Sequence, residues 1–450
     1  MTTTSTTTER VRTVRAGTAS GEVIRCGVSD AMLAELAVSV VFFYDRPLDE
    51  QRLADGLAVA LGRVPMFAGR LRSTGADLEI VCSDAGVPMV SADAPEALGE
   101  ALGRMTLAAS GYVDHVAAQA VHEGELPLFT VRLTRLADGG TALGCSWHHV
   151  LGDVQTFMTL MRAWSAAVDG AELPEVLPVE DREAYLASVL PERDSGRLGF
   201  RIPGPEEAEL LGREFAVAAR ANRTVQVYFT DAEVARLRDG FEESAGRRLS
   251  VNDVLCAHVV TAVRRLDEDH EARTLVLPVN VRRHLGLPAG GLGNVLGEIV
   301  LSCPADADPA ALAAEIRAGV EGFLTDHLSL RTNRDFLAGL GRERLRECVP
   351  LGFDPEAKTF TLSTWSRSGV YELAFEGHRP IAFSPAASVQ LPWVSWLVEG
   401  FEGSGHLLTV SLPVRLAGRL RTEAGQALLH SHRAADEQLP AIARQMKKLA

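Results

Sequence analysis

The run Trp147-His148-His149-Val150-Leu151-Gly152-Asp153 joins a strand pattern to a helix pattern, and it constrains the fold more than any other stretch. Upstream, Phe129 to Leu136 and Thr141 to His149 read as strands separated by Ala137-Asp138-Gly139-Gly140, a hairpin signal. Downstream, Phe157, Leu160, Met161, Trp164 and Val168 line one face of a helix that Gly170 ends. Asp153 stands at the N-cap position, where its carboxylate can accept backbone N–H bonds. His149 is therefore expected at the lip of a strand, in a tight loop containing Gly152.

Strand lips are common places for reactive side chains. A neutral imidazole there can take a proton from a hydroxyl or an amine, because its unperturbed pKa is about 6.5. Alternation along Trp147-His148-His149 sends the two rings to opposite faces, so one at most lines a given pocket. Asp153 can orient the His149 ring directly, or it can hold the loop through a partner elsewhere. The residues leave both roles open.

A chain of 450 residues, 46% hydrophobic, is long enough for two domains with separate cores. Its net charge of −14 argues against nucleic acid as a partner, since phosphate binding needs clustered Lys and Arg. The basic residues are nearly all Arg, which with the abundant Ala and Gly suggests a GC-rich bacterial gene. No apolar run is long enough for a membrane span. Met1 to Glu9 reads as a disordered tail and not as a signal peptide. The cysteines (Cys26, Cys82, Cys145, Cys256, Cys303 and Cys348) show no CxxC spacing and read as buried free thiols of a cytoplasmic protein. The histidines show neither HxxxH nor HExxH, so no metal is implied.

Further strands are expected at Val38 to Tyr44, Asp77 to Cys82, Arg223 to Phe229, Thr274 to Val279, Thr359 to Trp365, Tyr371 to Phe375 and Leu407 to Leu412. Helices are expected at Leu48 to Leu61, from Ser250 onward, at Leu312 to Leu324 and at Leu416 to Leu429. Leu177 to Arg223 reads as a crossover between halves. The Gly-rich stretch Gly290 to Gly297 lacks GxGxxG spacing and reads as a turn, not a phosphate loop. His258, Trp393 and Trp396 read as packing residues, and Asp114-His115 and Asp326-His327 as surface pairs.

Several segments, in order, resemble the BAHD acyltransferases. His149 to Asp153 matches the HxxxD signature. Phe67-Ala68-Gly69-Arg70-Leu71, then Leu78-Glu79-Ile80 and Asp84-Ala85-Gly86-Val87-Pro88, match the region around the family's Ala-Gly-Arg-Leu turn. Ser29-Asp30 is similar to its N-terminal Ser-x-x-Asp region, with different spacing. Ser250 to Leu255, Asn280-Val281-Arg282-Arg283, Gly293-Asn294 and Ser363-Thr364-Trp365 through Tyr371-Glu372 follow in the family's order. The resemblance runs from about Val28 to Leu429.

It implies an α/β fold of the α+β sandwich type, with two chloramphenicol-acetyltransferase-like domains and a solvent channel between them. The halves would be residues 1–190 and 223–450, joined by a crossover at 191–222, with a segment near 355–385 contributing to the N-terminal half. It also implies His149 as general base, Asp153 turned away to pair with Arg282, and Ser363 near the tetrahedral oxyanion. Acyl-coenzyme A is implied as a co-substrate in place of any tightly bound cofactor; Ser250, with Arg247 and Arg248 just before it at a helix start, is the candidate contact for its phosphates, the alternative being that the two arginines are simply solvated.

Two departures stand out. Val154 occupies the place of the Gly that usually follows HxxxD. Ala374-Phe375-Glu376-Gly377-His378 stands where the family has Asp-Phe-Gly-Trp-Gly. The second departure leaves the donor open between coenzyme A and an acyl carrier protein, as in related condensation domains. The expectation is a monomeric acyltransferase of specialised metabolism that acylates a hydroxyl or amine of a small molecule. A carrier-dependent condensation enzyme is the alternative, followed by a cyclising, isomerising or non-catalytic homologue.

Overall fold

The computed structural model describes residues 9–444 other than 75–76, 106–109, 341, 346 and 387–392. The tail expected at Met1 to Glu9 lies, but for Glu9, outside the described residues. Two six-stranded sheets carry the fold. The first runs in the order Arg10–Val14, Val87–Asp93, Phe129–Arg135, Thr141–His148, Ala37–Tyr44, Ala382–Pro385. Its neighbours are antiparallel except Val87–Asp93 with Phe129–Arg135. The second runs Asn222–Phe229, His406–Pro413, Val394–Glu399, Thr359–Thr364, Arg273–Asn280, Leu296–Cys303.

The chain leaves the second sheet after Thr364, supplies Ala382–Pro385 to the edge of the first, and returns as Val394–Glu399. Tyr371, Leu373, Phe375 and Phe383 are thereby buried in the core of the first sheet. A separate core under the second sheet is built from Val254, Leu255, Ile299, Ile316, Phe360 and Leu408 among others. Gln226 Nε2 donates to Ser384 Oγ at 3.1 Å and so ties the sheets together.

Helix Val154–Asp169 packs on helix Glu50–Arg63 through residues at helical spacing. Phe157, Leu160, Met161 and Trp164 are fully buried there, and the Trp164 indole donates to Leu53 O at 2.9 Å. Burial of each such side chain stabilises by about 1.5–3 kcal/mol. The crossover contains helix Arg182–Val189, capped by Asp181, and helix Pro205–Ala221.

Four expectations change. Leu416 to Leu429 is two helices, Val414–Arg421 and Glu423–Leu429. Thr422, at ψ 161°, leaves the helical region, and its hydroxyl accepts the Gly425 N–H at 3.2 Å. Tyr371 to Phe375 is not a strand: Gly369 at φ 76° leads into a 3-10 turn at Val370–Glu372. His327 is buried, so Asp326-His327 is not a surface pair. Cys26 and Cys348 are only partly buried, unlike the other four free thiols.

Candidate active site

The strand Thr141–His148 is buried along its whole length and ends in a 3-10 turn, His149–Leu151. The turn closes through the Gly152 N–H on His149 O at 3.1 Å. Gly152 has φ 144°, and a Cβ there would come 2.6 Å from Thr156 Oγ1, so no other residue fits. Trp147 clamps the loop from below: its indole donates to Gly152 O at 3.0 Å, and its ring stacks on Phe157 at 4.1 Å. Val154 enters the following helix as its first residue without disturbing the Asp153 cap.

The two histidines face opposite environments. His148 is fully buried; its Nδ1 accepts the Val150 N–H at 3.2 Å and its Nε2 faces Ala118 O at 3.3 Å. His149 is partly exposed, and its Nδ1 lies 3.1 Å from Asn294 Oδ1.

The Asn294 amide fixes the tautomer of that ring. Its Nδ2 donates to Asp30 Oδ1 at 2.7 Å and to His149 O at 2.8 Å, which uses both N–H bonds on acceptors. Oδ1 is therefore the atom that faces the ring. An amide oxygen only accepts, so the proton is on Nδ1 and the Nε2 lone pair is free. Burial lowers the His149 pKa from its usual value. Its own backbone carbonyl, Asp153, Asn294 and Asp30 oppose that shift less strongly.

Behind Asn294 stands Asp30, a buried carboxylate held by the Gly27 N–H at 2.9 Å and by Arg182 Nη1 at 3.2 Å. Arg182 also donates to Val150 O at 2.6 Å and Leu151 O at 3.1 Å, the two carbonyls that follow His149. Asp30, Asn294, Arg182 and Leu292 border a small, partly open cleft.

Asp153 points the other way. Its Oδ1 accepts the Thr156 N–H at 3.1 Å as the helix cap. Its Oδ2 accepts from Arg282 Nη1 at 2.6 Å and from the Val295 N–H at 3.2 Å. Arg282 also donates to Gly291 O at 3.1 Å and Gly293 O at 2.8 Å. Gly293 has φ 113°, and its N–H and carbonyl both bond Thr156 Oγ1 at 3.0 Å. The loop that carries Asn294 is thus pinned, from the second half of the chain, onto the loop that carries His149. The sequence assigns no role to Asn294, Asp30 or Arg182: Asn294 and Asp30 stand out only as places of resemblance, and nothing in the local pattern marks Arg182.

The remaining candidates hydrogen-bond to groups outside this cluster. Ser363 Oγ accepts the Trp365 indole N–H at 3.0 Å, which leaves its own proton free to donate. Ser250 caps helix Val251–Leu266: its hydroxyl accepts the Asp253 N–H at 3.2 Å and Arg317 Nη2 at 3.1 Å. Arg247 pairs with Glu321 at 2.8 Å, and Arg248 is exposed. His258 is buried and bonds Leu429 O at 2.7 Å.

The altered segment is a two-residue turn. Phe375 and His378 exchange backbone hydrogen bonds of 2.9 Å, with Glu376 at φ 57° and Gly377 at φ 76° between them. Glu376 Oε1 accepts the Asp49 N–H at 2.7 Å and so completes the start of helix Glu50–Arg63. The Gly377 N–H reaches Asp169 at 3.2 Å. Asp169 closes the sixteen-residue helix that Asp153 opens, about 24 Å from the His149 end.

Among the described residues no cluster of three or more His, Cys, Asp or Glu side chains has the arrangement of a metal site. No helix among them is long and apolar enough to cross a membrane.

A family model, the Transferase family, matches residues 5–418. A malonyltransferase of Salvia splendens acting on an acylated pelargonidin glucoside is 27% identical over 78% of this chain and 81% of its own. Rosmarinate synthase of Plectranthus scutellarioides is 27% identical over 81% and 82%. Among solved structures, vinorine synthase superposes with a TM-score of 0.68 at 19% identity, covering 94% of this chain and 96% of that one. F. graminearum TRI101, solved with coenzyme A and T-2 mycotoxin, superposes with a TM-score of 0.69 at 14% identity, covering 90% and 98%. The fold is therefore the two-domain chloramphenicol-acetyltransferase-like one, and the chain belongs to the Transferase family, the BAHD acyltransferases.

Proposed function

We propose that this acyltransferase moves an acyl group from a coenzyme A thioester to a hydroxyl or amine of a small molecule, with His149 as general base. The observation that carries the reading is the single free lone pair of His149, on Nε2, fixed by Asn294 at Nδ1. The acceptor gives its proton to Nε2 as its oxygen or nitrogen attacks the thioester carbonyl. The tetrahedral intermediate collapses by expelling the thiolate, which takes the proton back from Nε2. No acyl-enzyme forms, because the acceptor attacks directly.

During the step the ring is a cation. Asn294 Oδ1 accepts from its Nδ1, and the Asp30 carboxylate behind Asn294 favours that charge without competing for the proton. Asp153 and Arg282 act as a structural pair that positions the Asn294 loop. The free proton of Ser363 supplies a donor for the oxyanion, where charge develops only during reaction. Arg247 and Arg248, beside the helix start that Ser250 caps, supply positive charge for the coenzyme phosphates. We place the enzyme in the cytoplasm, as a monomer.

The test offers purified enzyme a panel of acyl-coenzyme A donors and hydroxyl or amine acceptors, with the acyl mass gain read by mass spectrometry. His149→Ala is expected to lower turnover by ~10²–10⁴. A full-rate His149→Ala enzyme would sink the assignment. The same assay with acyl carrier protein as the only donor supports the condensation alternative if that donor alone is consumed. A product of unchanged mass would point to cyclisation or isomerisation.

A further inference from the structure

Arg182 is buried under the turn that follows His149, yet no step of the acyl transfer uses it. It opens the crossover helix Arg182–Val189, and that helix is held at both ends. Asp181 caps its start, and at its other end Arg331 donates to Leu190 O at 2.8 Å and Pro191 O at 2.6 Å. The next residue, Glu183, takes the Val28 N–H at 3.0 Å and lies 3.4 Å from Arg334 Nε. Segments from both halves of the chain therefore fix the place of the Arg182 guanidinium, independently of His149.

That guanidinium spans a gap between two elements. The strand ends at His148, and helical bonding begins at Asp153, whose carbonyl takes the Phe157 N–H. Val150 and Leu151 are fully buried in the gap, and their carbonyls need donors. Arg182 Nη1 donates to Val150 O at 2.6 Å, and Nη2 to Leu151 O at 3.1 Å. The same Nη1 lies 3.2 Å from Asp30 Oδ1, the atom that takes the Asn294 amide at 2.7 Å.

Gly293 completes the contact. A Cβ on it would stand 3.1 Å from both Cδ and Nε of Arg182, so the backbone just before Asn294 lies against this side chain. One rigid plane thus touches the backbone after His149, the carboxylate that orients Asn294 and the backbone before Asn294. A lysine is a point donor on a flexible stem and cannot hold these positions at once. A buried ion pair adds little net stability. What the fork adds is a fixed distance between the His149 ring and the Asn294 amide.

We infer that Arg182 is a positioning residue for acyl transfer: its guanidinium keeps the His149 turn and the Asn294 amide in register. Nδ1 then meets Asn294 Oδ1, and the free lone pair stays on Nε2. This rests on the reading of His149 as general base and adds a residue to it. Without the fork, the turn and the amide shift independently, and the ring exchanges between its two tautomers.

The test variant is Arg182→Lys, which keeps the charge and removes the fork. Nitrogen-15 NMR of histidine-labelled protein reads the tautomer without any turnover, with the His149 signals assigned by their loss in His149→Ala. The parent is expected to carry its proton on Nδ1 alone, and Arg182→Lys to show both tautomers. Steady-state kinetics with an acyl-coenzyme A donor should show kcat reduced about 10–100-fold with KM nearly unchanged. That loss should disappear in an Asn294→Ala background, because both residues act on the same ring. Arg182→Gln, which also lacks the fork, gives the same readouts should the buried ammonium unfold the protein. A parental tautomer in the variant, or a fall in kcat that repeats in full on Asn294→Ala, overturns the inference. A protein that transfers no acyl group fails the kinetic arm for the parent as well, and the tautomer still judges Arg182.

Discussion

His149 and Asp153 stand four residues apart on one loop, yet each is held by a different residue of the second half. His149 Nδ1 faces Asn294 Oδ1 at 3.1 Å, and Asp153 Oδ2 takes Arg282 Nη1 at 2.6 Å. The two contacts converge, because Arg282 also bonds Gly291 O and Gly293 O in the loop that carries Asn294. Asp153 makes no hydrogen bond to the imidazole, and it holds the ring's partner in place through the backbone of that loop.

Asn294→Ala should therefore damage catalysis while leaving the imidazole in place. Without an acceptor at Nδ1, the ring is free to carry its proton on Nε2, where it cannot act as a base. The expected loss in kcat is about 10–100-fold, with little change in KM. Steady-state kinetics decide: a parental kcat would remove Asn294 from the mechanism.

Asp153→Asn isolates the charge of the buried pair, because asparagine is itself a good helix cap. Both side chains are buried, so the substitution strands the Arg282 guanidinium. Removing one partner of a buried pair destabilises by about 3–5 kcal/mol. Denaturant unfolding should show a loss of this order, with activity falling as the Asn294 loop loosens. An unchanged unfolding midpoint would contradict the structural role.

The pH profile follows from the environment of His149. The neutral ring is the active base, and burial lowers its pKa from the ordinary imidazole value of about 6.5. kcat/KM should be level at neutral pH and fall only as the pH drops below about 6.5. An acid limb centred above pH 7 would mean that the ring is not desolvated as described.

Much of this was legible in the chain because the signals were local. The strand to His148, the Gly152 turn, the Asp153 cap and the apolar stripe of the next helix all lie within one window of periodicity. Arg282 and Ser363 were reachable only through family resemblance. The partner of the His149 ring was not legible, since Asn294 lies 145 residues away on a glycine-rich loop with no periodicity. Arg182 looks like any other arginine in a polar crossover, and its burial against Asp30 depends on three distant segments meeting. The misread stretch at Tyr371 to Phe375 has a strand's hydrophobicity, but the positive φ angles of Gly369, Glu376 and Gly377 fold it into turns.

The altered segment gives the remaining test, because a catalytic and a structural role for Glu376 predict opposite outcomes. If Glu376 took part in the chemistry, Glu376→Ala would lower kcat and spare stability. The geometry argues the reverse. Glu376 Oε1 accepts the Asp49 N–H at the start of helix Glu50–Arg63, and its partner turn is tied to Asp169 at the far end of the helix that Asp153 opens. Removing the acceptor of one such hydrogen bond costs about 0.5–1.5 kcal/mol. The exposed partner Arg52, 3.6 Å away, adds little. Alanine inherits the same positive φ as glutamate, so the backbone term cancels between parent and variant. Glu376→Ala should thus unfold at lower denaturant and keep its kcat. A hundredfold fall in kcat at parental stability would place the segment in the active site after all.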